Sequence, residues 1–559
     1  MNTSPEVARE HQLIPIAQLA EQMGLASDEV EPYGRHKAKL SLSLLERLPH
    51  PTKAKLVCVT GMTPTRGGEG NTTTVVSLTD GLSRLGKRPV ACLRQASLGP
   101  VFGLKGSAAG GGLAQVVPME ELNLHFTGDI HAIGAANNLL AAMIDASILH
   151  DNPHDIDALR VPWRRAVDMN DRTLRKITIG LRGRANGYPR ETGFDITAAS
   201  EVMAITAIAD GLSDLRRRLG HVTAGYSRDE GKPVTAEDLR AAGAMAVLLK
   251  DAIKPNLVQT LEGQPALVHC GPLGMTDHGN NSLIADLVAL RLGDYVVTES
   301  GFGSDMGLEK FVNVVCRVGR LTPAAAVLVI SVRAVKHHGG VSERDHTGRR
   351  AGLHAIELGM SNVRRHLGII KAFGLPAIVA INRRTGDTGE EIELVKRLAV
   401  DAGAFAACVN NGFAQGGAGA VELAEIVVDA CSQSAGFHHL YADDDTIQDK
   451  VEAVARSVYG ARDVYFYPEA EEKVTQFTRE GLAGLPICIA KTPLSLSADP
   501  TLLNAPEGFT LPVRDIRAYT GAGWLVPLCG EITQMPGLGK EPAALGIDID
   551  AEGRTVGLF

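Results

Sequence analysis

The residues best suited to chemistry lie in one glycine-rich stretch, Thr63-Pro64-Thr65-Arg66-Gly67-Gly68-Glu69-Gly70-Asn71-Thr72-Thr73-Thr74. An apolar run, Leu56-Val57-Cys58-Val59-Thr60-Gly61, precedes it, and a segment of helical character, Val75-Val76-Ser77-Leu78, follows. Strand, glycine loop and helix in that order form the setting in which backbone N–H groups turn inward and cradle phosphate. The helix N-terminus adds a partial positive charge, and a threonine hydroxyl there can bind Mg2+ or a phosphate oxygen. One position departs from the pattern. A P-loop carries lysine in Gly-Lys-Ser/Thr, whereas this chain reads Gly70-Asn71-Thr72.

Two further places carry suitable groups. Arg94 ends the apolar run through Cys92-Leu93, where a guanidinium can fork onto a phosphate or carboxylate; an interdomain salt bridge is the structural alternative. His125, Asp129 and His131 fall within seven residues, but their spacing matches no standard zinc pattern. They read as a polar wall of a site, as does His337-His338, and no metal ligands are assigned. No G-x-S-x-G elbow occurs, so a hydrolase triad has no support.

These groups need a frame that brings them together. Short apolar strands are predicted at 56–60, 89–93, 266–270, 295–298, 326–332 and 377–382, with helices between them at, for example, 241–250 and 394–402. Such alternation implies an α/β protein whose mostly parallel sheet is covered on both faces, with the ligand at the carboxyl ends of the strands. An amphipathic helix is predicted over 5–23, and the glycines from Gly99 to Gly112 form a loop packed close to a ligand. At 559 residues the chain exceeds one ordinary core. A net charge of −8 argues against a general nucleic-acid binder. The eight cysteines form no C-x-x-C pair and read as buried free thiols of a reducing compartment. With no signal pattern at the N-terminus, and no apolar run near the ~18 residues that span a bilayer, the expected location is the cytoplasm, away from membrane.

The longer strings carry a resemblance. Glu31-Pro32-Tyr33-Gly34, the loop at 63–74, Ser97-Leu98-Gly99-Pro100-Val101-Phe102-Gly103, Leu124-His125-Phe126-Thr127-Gly128-Asp129-Ile130-His131, Thr298-Glu299-Ser300-Gly301-Phe302-Gly303 and Met535-Pro536-Gly537-Leu538 are similar, nearly end to end, to formate–tetrahydrofolate ligases. The resemblance implies a two-step reaction: ATP phosphorylates formate to formyl phosphate, and N10 of tetrahydrofolate takes the formyl group, leaving ADP and phosphate. It implies Arg94 and His125 as catalytic residues around the formyl phosphate. It places ATP on Thr65, Arg66, Gly67, Gly68, Glu69, Gly70, Asn71, Thr72 and Thr73, with Mg2+ bridging the phosphates. Phe302, Arg384 and Phe413 become the acceptor-binding residues for tetrahydrofolate. The implied architecture is a P-loop-like nucleotide-binding domain (1–365) and two smaller α/β domains (366–472 and 473–559). The implied assembly is a homo-oligomer, a tetramer by resemblance.

The departures from that family cluster. Asn71 takes the place of the loop lysine, and Arg66 stands where the family has proline or a small residue, within reach of the same phosphates. Arg383-Arg384 replaces an aromatic after the strand at 377–382, and Phe413 replaces a tryptophan; the two family aromatics look like a sandwich for the pterin ring. Cys270-Gly271-Pro272-Leu273-Gly274-Met275-Thr276-Asp277-His278-Gly279 differs strongly in a loop expected to face the site, with drift in a surface loop as the alternative. Three readings follow: the family's ligase with a variant loop, a paralogue that passes formyl to another, possibly acidic, amine, and a non-catalytic nucleotide-binding homologue.

Overall fold

The computed structural model describes residues 4–49, 53–65, 67–104, 108–229, 231–342, 349–433 and 435–558. Arg66 lies outside them, as do residues 105–107 of the 99–112 stretch, whose first part is a short helix, Leu98–Gly103, where a loop was expected. Twelve strands form one sheet: β1 (Val30–Pro32), β2 (Ala38–Leu40), β3 (Lys55–Gly61), β4 (Pro89–Leu93), β5 (Gly110–Gly111), β6 (Ala114–Val117), β7 (Asn256–Thr260), β8 (Pro265–Val268), β9 (Tyr295–Gly303), β10 (Pro323–Ile330), β11 (Ala377–Asn382) and β12 (Ala406–Asn410). The order is β1-β2-β7-β8-β4-β9-β3-β10-β11-β12, with β5 on β6 and β6 on β7. From β8 to β12 every pairing is parallel, whereas β1, β2, β5, β6 and β7 extend the sheet by antiparallel pairs. The protein is thus α/β with a large, mixed and mostly parallel sheet.

Alternation along β3 explains why both faces are covered. Val57 and Val59 pack with Val75, Val76 and Leu78 of helix α1 (Asn71–Arg84) and with Val427. Leu56 and Cys58 point the other way, into a core shared with Ile284, Val288, Val363 and Ile370. Successive side chains of a strand face opposite sides, so one all-apolar strand feeds two cores. Glycine decides one close approach: a Cβ at Gly81 of α1 would stand 2.8 Å from the Ala420 carbonyl oxygen. All eight cysteines are free and buried.

Several element boundaries differ from the sequence-based expectation for local reasons. The strand predicted over 326–332 ends at Ile330, because the Ser331 hydroxyl accepts from Ala334 N–H and caps a new helix, α2 (Val332–His338). The strand predicted through Cys270 ends at Val268, and Cys270 adopts φ +55°. The single N-terminal helix is two, Ser4–Glu10 and Ile16–Gln22, with Pro15 at the N-cap of the second. Helix α4 (Gly389–Asp401) begins earlier than predicted, through a capping box between Thr388 and Glu391. Helix α3 (Arg349–Ala372) runs across residue 365, and β11 and β12 beyond it continue the same sheet. Residue 473 lies inside the helix Pro468–Arg479. Among the described residues one helix, Asp129–Leu149, is long and apolar enough to cross a membrane by length and composition. Its Ile133, Leu140 and Ile144 are buried in the core, and its Asn137 and Asn138 amides donate to the Arg164 and Ala166 carbonyls.

Candidate functional site

The chain leaves β3 at Gly61 and reaches α1 at Asn71, and the loop between them is held from all sides. Thr63 is the first anchor. Its N–H donates to His366 Nε2 at 2.8 Å, and its carbonyl accepts from His338 Nε2 at 2.9 Å. The partners fix the tautomers: His366 carries its proton on Nδ1, facing Ser304 Oγ at 2.7 Å, while His338 accepts at Nδ1 from Asn504 N–H. Burial pushes both imidazoles down to about 4, so both are neutral supports.

Glu69 is the second anchor. One carboxylate oxygen accepts from Thr65 N–H (2.9 Å) and Thr65 Oγ1 (2.7 Å), and the other accepts from Ser331 Oγ. The third is Asn382 at the end of β11, whose amide donates to the carbonyls of Glu69 (2.8 Å) and Gly70 (3.2 Å). Asn410 at the end of β12 donates in turn to Asn382 Oδ1 at 2.9 Å. Gly68 and Gly70 stand at φ +67° and +88°, the left-handed region that a side chain disfavours. A Cβ on Gly70 would also meet Asn382 Nδ2 at 2.8 Å.

The loop forms one wall of a cavity of about 1500 Å³ at the carboxyl ends of β3, β9, β10, β11 and β12. This is where a parallel sheet places its ligand. Residues 67–73 line it, together with Phe302, Arg384 and Phe413. Most residues selected from the sequence therefore share one cavity, although they span more than 300 positions of the chain. Thr65 is buried behind the loop. Arg94 is not among the lining residues, and its Nη2 stands 3.5 Å from Oε1 of Glu299, which does line the cavity; that same oxygen accepts from Thr72 Oγ1 at 3.0 Å. His125 is exposed and is not part of the cavity wall. Asp129, its sequence neighbour, is buried in a 2.7 Å ion pair with Lys39 and accepts from Asn256 Nδ2. Among the described residues no group of three or more His, Cys, Asp or Glu side chains gathers to hold a metal ion.

Asn71 does not reach outward as a lysine would. Its amide donates to the Phe302 carbonyl at 3.1 Å and, more weakly, to that of Ser300 at 3.4 Å, tying α1 to the end of β9. Phe302 holds φ +61°, and Gly274 lies close enough that a Cβ there would sit 3.0 Å from the Phe302 ring. The divergent loop around Met275 thus backs Phe302 from inside the molecule. Its Thr276, Asp277 and His278 side chains are buried, so it is not a drifting surface loop.

Sequence reasoning did not single out Glu299, described above, or Arg333 as site residues. Arg333, on α2, donates from Nη2 to Thr65 Oγ1 (2.9 Å) and to the Gly68 carbonyl (3.1 Å), and it lines the cavity. Arg384 donates from Nη2 to that same Gly68 carbonyl at 2.7 Å. The available signal for Arg333 was its position just past an apolar strand, the same signal that singled out Arg94. Lys336, one turn further along α2, is neutralised by Glu391 at 2.5 Å.

Comparison with known proteins agrees along the whole length. A family model described as formate–tetrahydrofolate ligase matches residues 2–559. A formate–tetrahydrofolate ligase of Desulforamulus reducens is 52% identical over 560 residues, covering 99% of both chains. One of Roseiflexus sp. is 52% identical over 559 residues at the same coverage. The Paracoccus denitrificans protein of that name is 50% identical over 559 residues, covering 100% of both chains.

Proposed function

Because the chain belongs to the formate–tetrahydrofolate ligase family, we propose that it joins formate to N10 of tetrahydrofolate at the expense of ATP. One observation carries the reading: a single cavity is lined both by the glycine loop, 67–73, and by the aromatic side chains of Phe302 and Phe413. The phosphate donor and a flat acceptor can therefore meet without leaving the site.

In the first step a formate oxygen attacks the γ-phosphorus and ADP departs, giving formyl phosphate. Formate is a poor electrophile, and the phosphate supplies the leaving group it lacks. In the second step N10 attacks the formyl carbon, phosphate leaves, and the amine proton passes to solvent or phosphate. The protein's task is to position the reactants and hold charge on the transferring phosphoryl group. The loop N–H groups, the N-terminus of α1 and the Arg333 guanidinium serve the phosphates as a P-loop-like cradle. The resemblance assigns Arg94 to the formyl phosphate; beside the cavity its guanidinium lies 3.5 Å from Glu299, from which it would have to swing to meet the ligand. His125 is assigned to the same step by resemblance alone, since it is exposed and lies outside the cavity lining. Phe302 and Phe413 flank the acceptor.

The Thr72 hydroxyl and the Glu299 carboxylate are oxygen donors 3.0 Å apart on the cavity wall, a set that suits Mg2+. When bound with ATP, the ion would neutralise charge on the phosphate oxygens.

Incubation of the protein with ATP, Mg2+ and formate, with and without tetrahydrofolate, tests the reading. Sustained turnover, with ADP and 10-formyltetrahydrofolate formed in equal amounts, should require all substrates, and without tetrahydrofolate ADP should not exceed about one equivalent per site. Multiple-turnover ADP release that ignores tetrahydrofolate would refute it.

A further inference from the structure

The functional reading leaves an electrostatic gap. The helix-initiating position that carries lysine in a P-loop is Asn71, and its amide is engaged with the Phe302 and Ser300 carbonyls. A neutral group tied to the backbone brings no positive charge to the phosphates. The gap is met from another strand. Asn382 binds the Glu69 and Gly70 carbonyls from the end of β11, so the residues after it are delivered to the same loop. Two positions later, Arg384 places its guanidinium on Gly68, three residues from Asn71.

We propose that Arg384 is a nucleotide-binding residue whose guanidinium supplies, from β11, the charge that position 71 has given up. The proposal rests on the ligase reading and assigns Arg384 to ATP rather than to the acceptor ring. The neighbouring charges favour it. Arg384 and Arg333 share the Gly68 carbonyl; among the described residues Arg384 has no ion pair, and that of Arg333 with Glu69 is long, 3.8 Å, with Glu69 already accepting from Thr65 and Ser331. The Asp387 carboxylate accepts from the backbone N–H of Arg384 instead. Lys336 is balanced by Glu391, and exposed Arg383 adds further positive charge at the rim. Two cations on one carbonyl repel each other until an anion arrives between them. Burial, and after it the charge of Arg333, pushes the Arg384 guanidinium below its ordinary range, in line with that crowding. Most of its N–H donors remain for phosphate oxygens, which a planar guanidinium meets in pairs.

The test uses the full chain. MgATP binding is measured by calorimetry, and KM values for ATP and tetrahydrofolate by turnover, for the wild type and for R384A, R384K and N71K/R384A. Thermal melts confirm that each variant is folded. R384A should weaken ATP binding about 10- to 100-fold, the loss of a charge-assisted hydrogen bond. Its KM for tetrahydrofolate should stay within about twofold of wild type. R384K should fall between, and N71K should restore about tenfold of the affinity that R384A loses. Unchanged ATP binding in R384A, with a raised tetrahydrofolate KM, would overturn the proposal and return Arg384 to the acceptor. So would an N71K/R384A double variant no better than R384A, or a wild type that binds no ATP. A wild type that binds ATP yet makes no folate product would refute the ligase reading, while the calorimetric comparison would still decide the role of Arg384.

Discussion

Replacing Gly70 with alanine tests the loop geometry most sharply, because its two costs can be separated. The first is backbone strain: at φ +88° an L-residue costs about 1–2 kcal/mol. The second is a collision, since the new Cβ would lie 2.8 Å from Asn382 Nδ2. Displacing that amide loses its bonds to the Glu69 and Gly70 carbonyls, about 0.5–1.5 kcal/mol each. The total is roughly 2–5 kcal/mol in favour of a relaxed loop, which nucleotide binding must then reverse. Gly68→Ala is the internal control. Its φ is +67° and no atom of the described residues lies within 4 Å of the added Cβ, so it bears the strain alone. At about 1.4 kcal/mol per decade, Gly68→Ala should weaken ATP binding about tenfold and Gly70→Ala about a hundredfold or more. Calorimetry reads both. With Asn382→Ala as background the collision has no target, and Gly70→Ala should then cost no more than Gly68→Ala. Equal effects of the two single variants, or strict additivity of Gly70→Ala with Asn382→Ala, would refute the geometric account.

Three further outcomes follow from named contacts. Thr72→Val keeps the side-chain shape but removes the hydroxyl bonded to Glu299, and should lower kcat/KM for MgATP about 10- to 100-fold while Thr72→Ser retains most activity; equal loss in both would argue against a hydroxyl role. Burial holds His366 at about 4 against an ordinary 6.5, so the unfolded chain takes up this proton first as pH falls. The His366 contribution is complete above pH 6.5 and declines toward pH 4; the stability difference between wild type and His366→Gln, read by urea unfolding, should therefore fall by about 1.4 kcal/mol per pH unit across that window. Burial lifts Asp80 in the opposite direction, to about 8, with Thr260 Oγ1 donating to its carboxyl. Here the folded state keeps a proton that the unfolded chain has released, so wild type should lose stability relative to Asp80→Asn as pH rises from about 4 to about 8, and parallel unfolding curves would contradict this.

Parts of the frame were hidden in the sequence for a physical reason. The segment Asn256–Thr260 reads as polar, yet it is a fully buried strand. Asn256 bonds to Asp129, Gln259 to the Ile14 carbonyl and Thr260 to Asp80, so each polar group is satisfied by residues more than 100 positions away. Hydropathy registers composition and is blind to such partners. Strand β12, Ala-Ala-Cys-Val-Asn, has a short and mixed burial pattern at the sheet edge and offered no periodic signal.

What the sequence by itself determined was local. An apolar strand, glycines able to take positive φ and a helix opening on threonines specify a strand, glycine loop and helix through backbone geometry within about two dozen residues. The absence of lysine at position 71 was legible in the same way. Which cations face that loop is a property of the sheet order. With β10 beside β3 and β11 beside β10, the segments leaving their carboxyl ends converge, and Arg333 and Arg384 meet on the one carbonyl of Gly68. No spacing along the chain encodes that meeting. It exists only because parallel pairing aligns the ends of β10 and β11 with that of β3, which is hundreds of residues from both in sequence.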